Sequence, residues 1–398
     1  MSIQVNMNRI ICLILVVTLF SCSNPVKTIE NGKYGKLKAT YQLKLNGIKS
    51  FPLDENTASK PAYMQILKDT AGMRLLTFIN KYKNSICIYN YDNHQYISDA
   101  SYEKEGPNGI LNMAGYYIKN MDSIYIYNRS LVELVLADST GIVKKRISLK
   151  GNQEDWFSFY PQYDFKTVCP IFEYSGELLL TGFNPFQIKD DFVEKFKFTA
   201  CVNLNNDNIE FHHTYPYEIY GDNANWDDPV YMQVYPALMP SGEIVHSFTG
   251  SHDLYISPWN SDSVRMVYGG SNVSKEISSI DWVSGSEGTP SQVLLQHCMN
   301  QDLYMAILYD PWRKVYYRFM QDGTSDSTTK LQLNKKNIRI IIMDDQFQYL
   351  GETCIGNGDV WNWSNSFVTE EGLNMEYIDT DDVNEDFLNF KIFSIEKI

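Results

Sequence analysis

No cysteine in this chain stands three residues from another. Cys12 and Cys22 lie near the amino terminus, and Cys87, Cys169, Cys201, Cys298 and Cys354 are scattered. That spacing suggests neither a zinc site nor a thioredoxin-like pair. Histidine is scarce, and its one adjacent pair is His212-His213. Neighbours on a strand face opposite sides, so these two cannot easily share a metal. His-Glu-x-x-His, Gly-x-Ser-x-Gly, the P-loop and the dinucleotide fingerprint are all missing. No metal and no cofactor are therefore expected. The missing signatures weigh against an enzyme, although the members of a Ser-His-Asp triad need not be close in sequence. Basic charge is also short, with 34 Lys+Arg against 48 Asp+Glu, a net charge of −14 and no basic stripe. Nucleic acid and anionic lipid are thus poor electrostatic partners. Long apolar runs are absent too. The longest, Ile10–Phe20, has 11 residues, well short of the roughly 20 that span a bilayer.

What is present begins with that run. Arg9 precedes it and Ser21-Cys22 follows it. A cationic residue, a core of ~7–15 apolar residues and a small residue make a cleavable export signal. Leu19-Phe20-Ser21-Cys22 resembles the bacterial lipobox, with Phe20 as in Bacteroidetes-type signals. The resemblance implies a signal peptide over 1–21, a diacylglycerol thioether on Cys22 and acylation of the new amino terminus. Several acyl chains hold a membrane far better than one. Removing residues 1–21 takes away Arg9 alone, so the mature charge is −15. Residues 22–34 are polar, with Pro25 and Asn31-Gly32, and read as a lipidated tether. They lack an acidic stretch after Cys22, which favours an outer-membrane protein facing the periplasm over one on the cell surface.

Residues 35–398 read as a single all-β domain. Aromatics make up 14% of the chain, with 28 Tyr, and aromatic and β-branched residues favour strands. Short alternating runs recur between turn residues, as in Leu75–Asn80 and Ser85–Tyr91, or Leu303–Tyr309 and Val315–Phe319 around Pro311–Lys314. No long segment shows the helical period. Many short, evenly spaced strands indicate a sandwich, barrel or propeller. Asn84-Ser85-Ile86-Cys87-Ile88-Tyr89-Asn90 aligns with Asp122-Ser123-Ile124-Tyr125-Ile126-Tyr127-Asn128, and four-stranded blades repeat at about this interval. Glu105–Gly109 reads as a crossing between blades. Cys87 and Cys201 lie in alternating segments and read as core fillers. An oxidising compartment would allow one disulfide, with no pair singled out.

The lipobox, the Glu105–Gly109 crossing, the Asp122–Asn128 strand and the run Tyr309-Asp310-Pro311-Trp312-Arg313-Lys314-Val315-Tyr316-Tyr317-Arg318-Phe319 carry a further likeness. With them the chain resembles the six-bladed, TolB-like β-propellers among Bacteroidetes lipoproteins, in particular a family classed only as a domain of unknown function. The resemblance implies a fold and a location, and no reaction. A ring must close or leave a sheet edge open. The Lys36–Leu45 strand is therefore expected to pair in the carboxy-terminal blade, which has three strands of its own. The alternative is seven blades, with an irregular one over 184–235.

Candidate sites are few. Trp226, Asp227 and Asp228 lie in an irregular stretch, Tyr215–Val230, rich in aromatic and amide residues that suit sugar or peptide contacts. Asp379, Asp381, Asp382, Glu385 and Asp386 form an acidic turn without a calcium-loop glycine. Thr70, Ser139, Ser263 and Ser327 each follow Asp in a pattern resembling the Bacteroidetes O-glycosylation acceptor. Together these readings describe a lipid-anchored envelope propeller, a non-catalytic module that binds or scaffolds a protein, peptide or glycan. The alternative is a hydrolase or lyase acting on an envelope or dietary polymer at the central channel. The expected partners are the membrane, through the anchor, and an envelope protein or glycan.

Overall fold

A computed structural model describes residues 26–150, 161–185, 190–281, 289–324, 331–378 and 385–398. Strand β1 (Thr28–Glu30) leads to β2 (Tyr41–Pro52). Blade 1 is β3 (Met64–Lys68), β4 (Arg74–Asn80), β5 (Ser85–Asn90) and β6 (Tyr96–Ser101). Blade 2 is β7 (Met113–Asn120), β8 (Ser123–Asn128), β9 (Glu133–Ala137) and β10 (Val143–Ser148). Blade 3 is β11 (Phe172–Tyr174), β12 (Glu177–Thr181), β13 (Lys197–Asn203) and β14 (Ile209–Thr214). Blade 4 is β15 (Val234–Leu238), β16 (Glu243–Phe248), β17 (Asp253–Pro258) and β18 (Arg265–Tyr268). After β19 (Glu276–Ser278), blade 5 is β20 (Leu303–Asp310), β21 (Val315–Gln321), β22 (Asn337–Asp344) and β23 (Tyr349–Asn357). The last sheet holds β24 (Trp361–Thr369), β25 (Gly372–Tyr377) and β26 (Phe387–Lys397).

The sheets of blades 1–5 are antiparallel four-stranded meanders, and β2 completes the last sheet in the order β2-β26-β25-β24. The six-bladed propeller and its closure are thus as expected, with the closing strand at Tyr41–Pro52. The stretch 184–235 contributes β13, β14 and a crossing, so among the described residues there is no seventh blade. The first strands of neighbouring blades pack on one another around the axis, as β15 does on β20 and β20 on β24. In such a meander every blade-to-blade crossing, and every turn between second and third strands, falls on one face of the ring.

Turn chemistry sets the strand ends. Asp69 Oδ1 accepts from the N–H groups of Ala71 and Met73 at 2.9 and 2.8 Å, and Asp310 Oδ1 from those of Trp312 and Arg313 at 3.0 and 2.9 Å. These are Asx-type turns. The paired Ser-Ile-x-Ile-Tyr-Asn segments are β5 and β8, the third strand of one blade and the second of the next. They share the chemistry of a strand leaving a tight turn, not a place in the blade.

Two other expectations are corrected. The helix α1 (Ser291–Asn300) lies in the blade 4–5 crossing. It starts at Pro290 without a side-chain cap or an acidic first turn, so the usual start signals are missing. The polar segment 22–34, read as a lipidated tether, is docked on the ring from Lys27 onward. β1 pairs antiparallel with β19. Buried Asn31 donates from Nδ2 to the Ser271 and Ser274 carbonyls at 2.8 and 2.7 Å, and accepts from the Tyr268 hydroxyl at 3.0 Å. A polar sequence can dock in this way when backbone carbonyls supply the partners. All five described cysteines are free thiols, and Cys87 and Cys201 are buried fillers.

Candidate functional site

The central channel is closed by a turn of the chain. Between blades 2 and 3, Lys166–Cys169 forms a tight turn, with the Cys169 N–H donating to the Lys166 carbonyl at 2.8 Å. It touches four blades. Thr167 Oγ1 donates to Asn365 Oδ1 at 2.8 Å and accepts from the Met64 N–H at 3.1 Å. The Val168 N–H donates to the Ser364 carbonyl at 3.2 Å. The Cys169 thiol faces the carbonyls of Thr181 and Val234.

Above this plug, on the crossing face, a cup of about 420 Å³ opens between the inner strands of blades 4, 5 and 6. Tyr235, Met305, Trp361 and Trp363 form its wall, with Lys60, Lys166, Gln233, Leu333 and Asn334 supplied by loops. The register of β24 against β25 slips between Asn362 and Phe367. That bulge turns Trp363 toward the cup and Ser364 and Asn365 toward the plug, and bulges commonly re-aim side chains in this way. Tyr235 and Trp363 meet edge to face, with ring centroids 5.9 Å apart. Trp361 Nε1 donates to the Ile355 carbonyl at 2.7 Å, which fixes its ring. Lys166 lies 3.3 Å from Asp164, and Lys60 3.8 Å from Glu385. Each ammonium group at the mouth of the cup is thus set beside a carboxylate.

Directly behind Asn362 lies Glu376, 2% exposed. Asn362 Nδ2 donates to its Oε2 at 2.9 Å, and Asn365 Nδ2 donates to the same oxygen. Burial pushes this carboxyl up to about 7, and the two amide donors only partly oppose it.

The residues singled out from sequence sit beside the cup. Trp226 is 1% exposed, donates from Nε1 to the Ile219 carbonyl at 2.9 Å and packs on Tyr231 with centroids 4.9 Å apart. Asp227 Oδ2 accepts from the Thr289 N–H at 3.2 Å. Asp228 Oδ1 caps the short helix Pro229–Met232 through the Val230 N–H at 2.8 Å. The three shape their crossing, and Val230 and Gln233 from that crossing reach the cup. Sequence reasoning missed Lys60, Lys166, Tyr235, Trp361 and Trp363. The available signal was Trp361-Asn362-Trp363, because residues two apart on a strand share a face.

Residues 40–354 match a family described as "Domain of unknown function (DUF4221)". The chain belongs to the DUF4221 family. It is similar to the crystal structure of a DUF4221 member from Bacteroides vulgatus ATCC 8482, with 19% identity, a TM-score of 0.72 and coverage of 90% of this chain and 99% of that one. A structure from Bacteroides fragilis NCTC 9343 is similar at 10% identity and TM-score 0.52, over 89% and 96% of the two chains. No curated protein matches this DUF4221 chain.

Thr70 and Ser263 are exposed and Ser139 is half-buried. All three lie on hairpins at the strand ends opposite the crossing face, after β3, β17 and β9. Cys22 and Ser327 lie outside the described residues, as do Asp379, Asp381 and Asp382. Among the described residues, no cluster of three or more His, Cys, Asp or Glu could hold a metal ion.

Proposed function

We propose that this propeller is a lipid-anchored, TolB-like envelope module that binds a glycan or peptide segment in the channel-mouth cup without transforming it. The observation that carries the reading is the cup itself. A plugged channel leaves a blind recess whose wall combines tryptophan and tyrosine faces with amides and two lysines. Aromatic faces suit sugar rings and apolar side chains, and convergent polar groups fix their orientation. To test this, glycan and peptide arrays are screened against the purified protein, and the hits are titrated into Trp363→Ala. The expected loss is at least about 2 kcal/mol, the size of an interface hot spot. Unchanged affinity would remove the cup from the reading.

One observation favours the second reading, a hydrolase or lyase on an envelope or dietary polymer. Glu376, with its carboxyl near 7, stands one residue behind the cup, and strongly shifted carboxyls recur in active sites. Glu376→Gln separates the two. A binding module keeps its affinity and shows no turnover to lose, whereas an enzyme loses turnover while still binding.

The lipid anchor rests on the lipobox and on where the chain docks. Lys27 Nζ donates to the Tyr217 carbonyl at 3.3 Å and pairs with Asp222 at 2.9 Å, both in the blade 3–4 crossing. Lys27 is five positions after Cys22, a reach of at most about 18 Å. A lipid on Cys22 would thus hold the crossing face, and the cup, near the bilayer. The proposed location is the outer membrane facing the periplasm, with the cell surface as the alternative. Cys22→Ser is expected to move the protein from the membrane to the soluble fraction, with its intact mass lacking acyl chains. A Cys22→Ser protein that stays acylated and membrane-bound would refute the anchor.

A further inference from the structure

The chain from Val26 to Thr40 is a docked strip. It runs from the blade 3–4 crossing, past the blade 4–5 crossing, to the outer strand of blade 5. The Lys27 N–H donates to Ser279 Oγ at 2.9 Å, and its ammonium group lies 5.9 Å from the centre of the Tyr217 ring. The Gly35 N–H donates to the Asn272 carbonyl at 2.9 Å, and the Leu37 N–H to Asn272 Oδ1 at 2.8 Å. The Thr40 N–H donates to the Leu350 carbonyl of β23 at 2.7 Å. These bonds give a polar sequence a fixed place on the ring.

Two pairs of large apolar side chains stand out along the strip. Val26 and Tyr217, 41% and 38% exposed, lie at its start beside Lys27. Tyr34 and Val273, both 47% exposed, flank the hydrogen bond between Gly35 and Asn272. The strip is also where the charge of the chain reverses. The whole chain carries −14, yet residues 27–38 hold Lys27, Lys33, Lys36 and Lys38 against one carboxylate, Glu30. Lys33, Lys36 and Lys38 are exposed. Lys33 Nζ lies 4.3 Å from the centre of the Tyr268 ring, and Lys36 Nζ donates to the Gly32 carbonyl at 2.8 Å. Among the described residues none of these three lysines forms an ion pair.

We infer that this strip is a second contact with the bilayer, laid on its phospholipid headgroups. The inference rests on the lipid-anchor reading. Val26 is four positions after Cys22, a reach of at most about 14 Å, so a lipid on Cys22 brings the start of the strip to the membrane. Tyrosine rings favour the headgroup level, where one end is apolar and the other wet. Lysine ammonium groups meet phosphate oxygens there. A lipid chain joined to a basic patch holds a membrane better than either alone. A second copy of this chain is a poorer occupant, because a twofold contact sets the strip against itself and lysine against lysine. The contact turns the blade 4–5 sector toward the bilayer. It leaves the turn at Ile142, on blade 2 and the opposite face of the ring, in water.

The test tethers the mature chain, from residue 22, to vesicles of phosphatidylethanolamine and phosphatidylglycerol. The chain carries Cys22→Ser and an amino-terminal histidine tag that grips a nickel-chelating lipid, so acylation is not needed. Cys354 is the exposed thiol among the described cysteines, and Cys354→Ser removes it. An environment-sensitive dye is then attached at Tyr34→Cys, Val273→Cys or Ile142→Cys. On tethering, emission from positions 34 and 273 is expected to brighten and shift to the blue, while position 142 keeps its aqueous emission. Lys33→Glu, Lys36→Glu and Lys38→Glu together should abolish the shift at position 273. Aqueous emission at both strip positions, an equal shift at position 142, or a shift that survives the charge reversal would each overturn the proposal. The anchor is judged separately, by acylation of Cys22, so failure of that reading and failure of this one are distinguishable.

Discussion

Deleting residues 26–52 is expected to abolish the cooperative unfolding transition of this propeller, whereas deletion through residue 40 should lower the midpoint and keep the transition. The difference is β2. It pairs with β26 from Tyr41↔Lys397 to Pro52↔Phe387, so without it the last sheet ends on a bare strand edge. β2 also places Phe51, fully buried, edge-on to Tyr89 and Phe390 with centroids 6.0 and 5.9 Å away. Removing one such ring costs roughly 3–5 kcal/mol. Domain stabilities are about 5–15 kcal/mol in total, so the ring plus a whole strand ladder exceeds what the fold can lose. β2 seals a second seam as well. The Leu43 N–H donates to Thr353 Oγ1 at 2.9 Å on β23, and the Tyr41 backbone runs so close to Gly351 that any Cβ there would collide with it. The shorter deletion removes β1 and the Asn31 contacts, which dock on the ring without closing it. The check is a thermal melt followed by circular dichroism together with calorimetry. A two-state melt for the longer deletion would show that the ring closes by some other means.

That closure was legible because it needs only strand-like alternation at one end and an incomplete blade at the other. The propeller itself was legible from evenly spaced strands and turns, whereas the count of six came from the resemblance to the six-bladed, TolB-like family. The places where the reading slipped have a common cause. Turn residues report a turn, not its position, so Asn84-Ser85 and Asp122-Ser123 looked equivalent while opening a third and a second strand. The helix Ser291–Asn300 carried no cap to announce it. Trp226 drew attention as a rare residue in an irregular loop, and that loop uses it as its own core, with Tyr220 and Tyr231 around it. The cup was invisible because Lys60, Lys166, Tyr235, Leu333 and Trp363 come from five separate stretches of chain. Only ring closure brings them together, and no local pattern records it.

Replacing Arg318 by Met is expected to lower stability by roughly 3–5 kcal/mol, because several buried acceptors lose their donor at about 1–3 kcal/mol each. Arg318 appeared in the sequence only as part of the Tyr309–Phe319 hairpin. In the fold it is the bolt between blades 5 and 4. Its side chain is fully buried on β21. Nε donates to Ser247 Oγ at 3.0 Å, Nη1 to the carbonyls of His252 and Gly269 at 2.9 and 3.2 Å, and Nη2 to the Ser251 carbonyl at 2.8 Å. The guanidinium carbon sits 4.0 Å from the centre of the Tyr304 ring. Burial draws the group down to about 10, so it remains a cation at neutral pH, solvated by carbonyl dipoles and an aromatic face rather than by a bonded carboxylate. Methionine would fill much of the space and leave those carbonyls buried without donors, which is the costly half of a broken network. Lysine keeps the charge but offers one nitrogen where the planar fork uses three, so Arg318→Lys should recover only part of the loss. Urea titration of the three proteins measures this. A Met variant within about 1 kcal/mol of the parent would place it among ordinary surface changes and would mean that the blade 4–5 seam holds without its bolt.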